Sequence, residues 1–231
     1  MMSLIDYFNK SLKNNNKKIF LSDETESYTY YQISKIINNF SNNLINMGVK
    51  KSEKFFLSIN DPFKFSIILL TASKLDLAIV SFNNTSPFKT VLDAYIKSNS
   101  SYLVVNSSFI NDLSRGEKKK LNHVCKNVIL IDKNFDEKKS QAISLDNLFK
   151  KTKINKQYNN KKKDLKNPFL LSLTSGSTGN PKPIILSEDT KIKRAQSLIE
   201  LYDIDKRDKI LIATPIYHTL AQRLIIISIL L

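Results

Sequence analysis

The densest chemistry in the chain lies in nine consecutive residues, Thr174-Ser175-Gly176-Ser177-Thr178-Gly179-Asn180-Pro181-Lys182. Two of the chain's four glycines sit here, three residues apart, among four hydroxyl side chains and one lysine. Glycine lets a backbone approach an anion closely and adopt positive φ. Successive N–H groups then form a concave anion nest. The hydroxyls add donors and Lys182 adds a point charge. The flanking runs, Phe169-Leu170-Leu171-Ser172-Leu173 and Ile184-Ile185-Leu186, read as strands. A glycine- and hydroxyl-rich loop between two strands suits the holding of a phosphate chain. It is not a Walker A loop, which needs Gly-Lys-Ser/Thr opening a helix; here Pro181 and Pro183 flank the lysine. The plainer reading of the same residues is an ordinary turn, since Ser, Gly, Asn and Pro all favour turns.

Two further constellations carry reactive side chains. Pro215-Ile216-Tyr217-His218 follows a predicted strand, Ile210–Ala213, and places an imidazole on a loop. His123 and Cys125 stand two apart, but a zinc site needs three or four ligands and no other His or Cys is near. A His and a Cys packed beside a strand is the reading there, and no metal site is expected.

The elements that must hold these residues follow from periodicity. Leu4, Ile5, Phe8 and Leu12 recur at helical spacing, and Ile19–Leu21 and Tyr28–Tyr30 are short strand-like pieces. Thr29 and Gln32 form a capping box ahead of a helix that carries Ile33, Ile36, Ile37, Phe40, Leu44 and Met47 on one face and stops at Gly48. Lys54–Ile59 reads as a strand. Asp61 and Pro62 open a largely buried helix, since proline's missing N–H is harmless at the first position. Leu77–Phe82 is a strand, Ser86-Pro87 opens a helix to about Lys97, and Tyr102–Val105 and Val128–Ile131 are strands. Strands alternating with helices predict an α/β fold with mainly parallel sheets and flanking helices.

With those elements in place, the nine-residue stretch resembles, residue for residue, the phosphate-loop signature of the adenylate-forming, or AMP-binding, superfamily, which includes acyl-CoA synthetases. The order Met47-Gly48-Val49, Phe55–Ile59, Phe63–Leu75, Ala78–Pro87 and Val91–Ser98 is similar to that superfamily's N-terminal region. Three departures stand out: Ser52-Glu53 where relatives often have Gly-Asp, Pro183 where many have Gly, and Glu188 where many have His. The resemblance implies the N-terminal part of the large domain of an acyl-adenylating enzyme. It implies ATP, Mg²⁺ and coenzyme A as cofactors and a small-molecule carboxylic acid, a fatty acid in our expectation, as substrate. Thr174, Ser175, Gly176, Ser177, Thr178, Gly179 and Lys182 would bind the phosphates. Lys182 and His218 would serve catalysis, the first at the leaving pyrophosphate and the second at the carboxylate pocket. A catalytically inactive remnant that binds a nucleotide or partner is the alternative.

Composition narrows the remaining classes. The chain has 231 residues and a formal charge of +15, but its lysines are spread throughout and arginine occurs only at positions 115, 194, 207 and 223. That pattern argues against a nucleic-acid partner, whose base readout favours arginine. No apolar run approaches the ~20 residues of a membrane span, and no signal peptide is evident. The single cysteine fits a reducing compartment, and we expect a cytoplasmic protein. Residues 150–166 carry eight lysines and few apolar side chains, which predicts a solvated linker between a first subdomain, 1–149, and the start of a second, 167–231. Leu224–Leu231 is wholly apolar but for Ser228 and has no evident cover, so the chain reads as truncated, with a second chain as one carrier of its other half.

Overall fold

The protein is described from a computed structural model covering residues 2–24, 26–132, 142–153, 163–174 and 182–231. Helix α1 (Leu4–Asn15) starts with a capping box in which Ser3 and Asp6 bond each other's backbone N–H groups. Strands β1 (Ile19–Ser22) and β2 (Ser27–Thr29) form a small antiparallel hairpin. The expected Thr29/Gln32 capping box opens α2 (Tyr30–Met47), and Gly48 ends it in the left-handed region at φ 83°. Strand β3 (Lys54–Ser58) leads to α3 (Pro62–Leu75), where Asp61 accepts from Lys64 N at 2.9 Å.

Then follow β4 (Ala78–Ser81), α4 (Phe88–Ser98), β5 (Tyr102–Val105), the short α5 (Ser107–Asn111), α6 (Arg115–Val124) and β6 (Val128–Leu130). Strand β7 (Ile143–Ser144), α7 (Leu145–Leu148), β8 (Pro168–Thr174), β9 (Lys182–Ser187), α8 (Glu188–Leu201) and α9 (Thr219–Leu230) complete the order. Helices α3 and α4 end on left-handed Asp76 and Asn99 (φ 56° and 51°), residue types that tolerate this region where glycine is absent.

A seven-stranded sheet of order β7-β6-β5-β3-β4-β8-β9 organises the fold, parallel throughout except for the antiparallel β8/β9 pair. The two-residue period of a strand sends alternate side chains to opposite faces. Phe55 and Leu57 therefore join a core with α1, α2, α3, α8 and α9, while Phe56, Val80 and Leu103 join a second core under α4 and α6. The mainly parallel α/β expectation matches this architecture. The sheet also runs across the lysine-rich stretch, because β8 pairs with β4.

Three local expectations are corrected. Residues 210–213 are not a strand: no neighbouring strand offers them a ladder among the described residues, and Leu211 is 83 % exposed. The apolar C-terminal residues have a cover, since α9 packs on α1 and α8 and leaves Ile225, Ile226, Ile227 and Ile229 at most 1 % exposed. Lys163 is half-buried rather than a free solvated lysine: its ammonium donates to Ser73 O at 2.6 Å and pairs with buried Glu188. Residues 154–162 of the expected linker lie outside the described residues.

Candidate functional site

Strand β8 runs beside β4 and delivers Thr174 to the carboxyl edge of the sheet. Strand β9 returns antiparallel from that edge, so the ladder pairs Leu173 with Pro183 and, at its last rung, Thr174 with Lys182. Directly opposed antiparallel residues have α-carbons about 5 Å apart. The expected phosphate-binding residues Thr174 and Lys182 thus form the two feet of a tight connection. Ser175, Gly176, Ser177, Thr178 and Gly179, the remaining sequence-predicted contacts, lie outside the described residues. Pro183 is compatible with β9, an edge strand among the described residues, the kind of strand on which proline is tolerated.

The turn bearing His218 is built separately. Ile216 is fully buried and anchors it, and its N–H donates to Asn60 Oδ1 at 3.0 Å, just past the end of β3. His218 N–H closes the turn on Pro215 O at 3.0 Å. Gln222, one turn into α9 and fully buried, donates its amide to Ile216 O at 3.2 Å and to Tyr217 O at 3.3 Å. Its Oε1 accepts from Lys191 Nζ at 3.3 Å, across the α8–α9 contact. Two carbonyls and one N–H of the turn are therefore held from opposite sides. The imidazole itself is exposed, lies 4.5 Å from the Tyr217 ring centroid to centroid, and makes no hydrogen bond among the described residues. It caps α9 by position but not through its side chain, which leaves both ring nitrogens free for chemistry.

Lys191 gives this region its electrostatic character. It is only 4 % exposed, and burial, reinforced by the nearby charges of Arg223 and Arg194, pushes its ammonium down to about 8. No carboxylate pairs with it among the described residues. Beside it, Glu188 is 1 % exposed and accepts from Leu4 N and Ser73 Oγ, both at 2.7 Å, while pairing with Lys163. One carboxylate thus ties α1, α3 and residue 163 to the N-terminus of α8, directly after β9. Glu188 is a structural anchor here.

Asn60, Gln222 and Lys191 escaped the sequence reading. Gln222 left one signal, a lone amide inside the otherwise apolar stretch Leu220-Ala221-Gln222-Arg223-Leu224-Ile225. Asn60 and Lys191 left none, since polar residues next to helix starts are ordinary. Cys125 is buried beside Tyr95, and burial pushes its thiol up to about 12, against the pull of the Tyr95 hydrogen bond. His123 is exposed on α6. Among the described residues no group of three His, Cys, Asp or Glu side chains assembles, so these residues do not by themselves fit a Mg²⁺ ion. No helix among them is long and apolar enough to cross a membrane.

Comparison with known proteins places this geometry. The structure resembles o-succinylbenzoate CoA synthetase from Bacillus subtilis in complex with its acyl-adenylate intermediate, with TM-score 0.78 at 18 % identity over 97 % of this chain and 53 % of that one. The same enzyme in complex with ATP and magnesium ion matches with TM-score 0.72 at 18 % identity, over 96 % and 54 % of the two chains. A long-chain-fatty-acid-CoA ligase from Archaeoglobus fulgidus matches with TM-score 0.80 at 18 % identity, over 99 % and 45 %. The chain therefore spans about half the length of these solved structures. No curated protein sequence matches it. The family described as AMP-binding enzyme matches residues 8–231, nearly the whole chain, and the protein belongs to that family.

Proposed function

We propose that this chain supplies the phosphate-gripping half of an acid–thiol ligase, which activates a carboxylic acid with ATP and passes the acyl group to coenzyme A. The observation that carries the reading is the β8/β9 hairpin: its last rung, Thr174 opposite Lys182, brackets the glycine- and hydroxyl-rich residues 175–181 in a chain of the AMP-binding enzyme family. Residues 174–179 would wrap the outer phosphates through backbone N–H groups and hydroxyls. Lys182 would offset charge as pyrophosphate leaves, and the free imidazole of His218 would face the carboxylate. Magnesium would arrive with the nucleotide, bound to its phosphates. Holding the carboxylate in line with the α-phosphorus and neutralising the leaving group account for most of the rate in such transfers.

The activating and transferring steps belong, in this reading, to a complete fold in which this chain is joined to the other half of its relatives' length, in one polypeptide or as a second one. A long-chain fatty acid is the substrate we favour, a choice supported by the ligase from Archaeoglobus fulgidus among the similar structures. A cytoplasmic setting is consistent with such chemistry. The division into 1–149, a linker at 150–166 and 167–231 stays part of the proposal.

Nucleotide binding by the 231-residue chain is the direct test. Calorimetric titration with Mg-ATP is expected to show saturable binding, and Lys182→Ala is expected to weaken it about tenfold, the loss of one charge-assisted contact, with an unchanged unfolding midpoint. Equal affinity in wild type and variant would remove the phosphate-loop role.

A further inference from the structure

The order of strands marks a second place where this sheet can bind a ligand. From β3 the chain crosses to β4 on one side, whereas from β5 it crosses to β6 on the other. Strands β3 and β5 are neighbours, so their outgoing connections diverge and leave a crevice at their carboxyl ends. In open α/β sheets this topological switch point is the general ligand position. A cavity of 350 Å³ occupies it, lined by Ser58, the last residue of β3, and by Asn106, the first after β5. The phosphate-loop hairpin follows β8, on the far side of β4, so this crevice is a different place on the same edge.

The lining selects the kind of molecule. Phe88 and Phe109 form two of its walls, with ring centroids 6.1 Å apart. Asp112 and Glu117 bring two carboxylates, and Asp112 makes no ion pair among the described residues. Among the described residues no lysine or arginine lines the cavity, in a chain of formal charge +15. The wall also contains an uncommitted acceptor. Asp132 takes the Ser107 N–H, Asn106 makes no side-chain cap to α5, and its Oδ1 is buried with no donor among the described residues. Acceptors and aromatic faces without cations repel an anion and attract a flat body carrying N–H donors.

We propose that this switch-point cavity is a binding site for a small, flat, uncharged or cationic molecule bearing amino or amidino groups, independent of the phosphate loop. Its aromatic body would lie against the exposed side of the Phe88–Phe109 pair, and its donors would meet Asp112 and, after a turn of its side chain, the Asn106 amide. The test is titration of the ¹⁵N-labelled 231-residue chain with benzamidine, followed by amide chemical shifts, with benzoate as the isosteric anion. Benzamidine is expected to bind with a dissociation constant of about 1 mM or tighter, with the largest shifts at Ser86, Ser108 and Phe109. Benzoate is expected to leave those amides unmoved. Asp112→Asn, at an exposed position, and Phe109→Ala are each expected to weaken benzamidine about tenfold while retaining native amide dispersion. Absence of a saturable shift, equal binding of benzoate, or full affinity in both variants would each overturn the proposal.

Discussion

Lys191 and Gln222 meet inside the α8–α9 contact, Nζ to Oε1 at 3.3 Å, with both residues less than 5 % exposed. An ammonium held by a single amide is an expensive arrangement, because burial without a counter-charge disfavours the charged form. Folding therefore lowers this group from the ordinary lysine value of 10.5 to about 8. Between those values the unfolded chain binds a proton that the folded chain does not, so stability rises with pH across that window. Below pH 8 both states are protonated and the folded state bears the whole penalty, roughly 3 kcal/mol. Urea unfolding at pH about 7, 8.5 and 10 should show this rise. Lys191→Met should flatten it, and an equally steep rise in the variant would show that another group titrates.

Gln222 is expected to matter out of proportion to its distance from any substrate. Gln222→Leu keeps the volume but leaves Ile216 O and Tyr217 O without their donor. Unmet buried carbonyls cost about 1–3 kcal/mol, so unfolding should shift by about 2 kcal/mol in that direction. The turn should loosen as well. The chain has only two histidines, His123 on α6 and His218. Their imidazole proton signals are easily told apart, and only that of His218 should move or broaden in the variant.

Glu188 gathers two hydrogen bonds and an ion pair at 1 % exposure. Removing one partner of a buried pair strands the other, at a cost of about 3–5 kcal/mol. Glu188→Ala should lose about that much by chemical denaturation. Glu188→Gln retains an oxygen for Leu4 N and Ser73 Oγ and should lose distinctly less. Equal losses would mean that charge, not hydrogen bonding to α1 and α3, dominates the anchor.

Cys125 is 4 % exposed and its thiol is pushed up to about 12. Thiolate is the reactive form, so at neutral pH the native protein should react with an aromatic disulfide reagent only as fast as it opens. Modification should become rapid in urea above the unfolding midpoint. Rapid native-state reaction would contradict the packing of α6 on α4.

Local signals carried well from sequence to structure wherever the physics is local. The Thr29/Gln32 and Asp61-Pro62 starts, the Gly48 stop and the alternation in Phe55-Phe56-Leu57 are written in neighbouring residues. The strands flanking residues 175–181 were legible for the same reason, and they stand paired, Thr174 against Lys182. Asp76 and Asn99 were silent, because left-handed caps without glycine leave only a weak trace. Leu224–Leu231 read as uncovered and residues 210–213 as a strand, since burial and ladder partners depend on contacts made by distant segments, α1 and α8 in the first case and no strand in the second. The same holds for the ties that place the candidate site: Asn60 to Ile216 spans 156 residues, Leu4 to Glu188 spans 184, and Lys191 to Gln222 crosses two helices. Residue types and spacing determined which chemistry this chain can present; only the packing of the sheet and its helices decided which polar groups are buried, paired and held in position, because desolvation is a property of the assembled core and not of any stretch of chain.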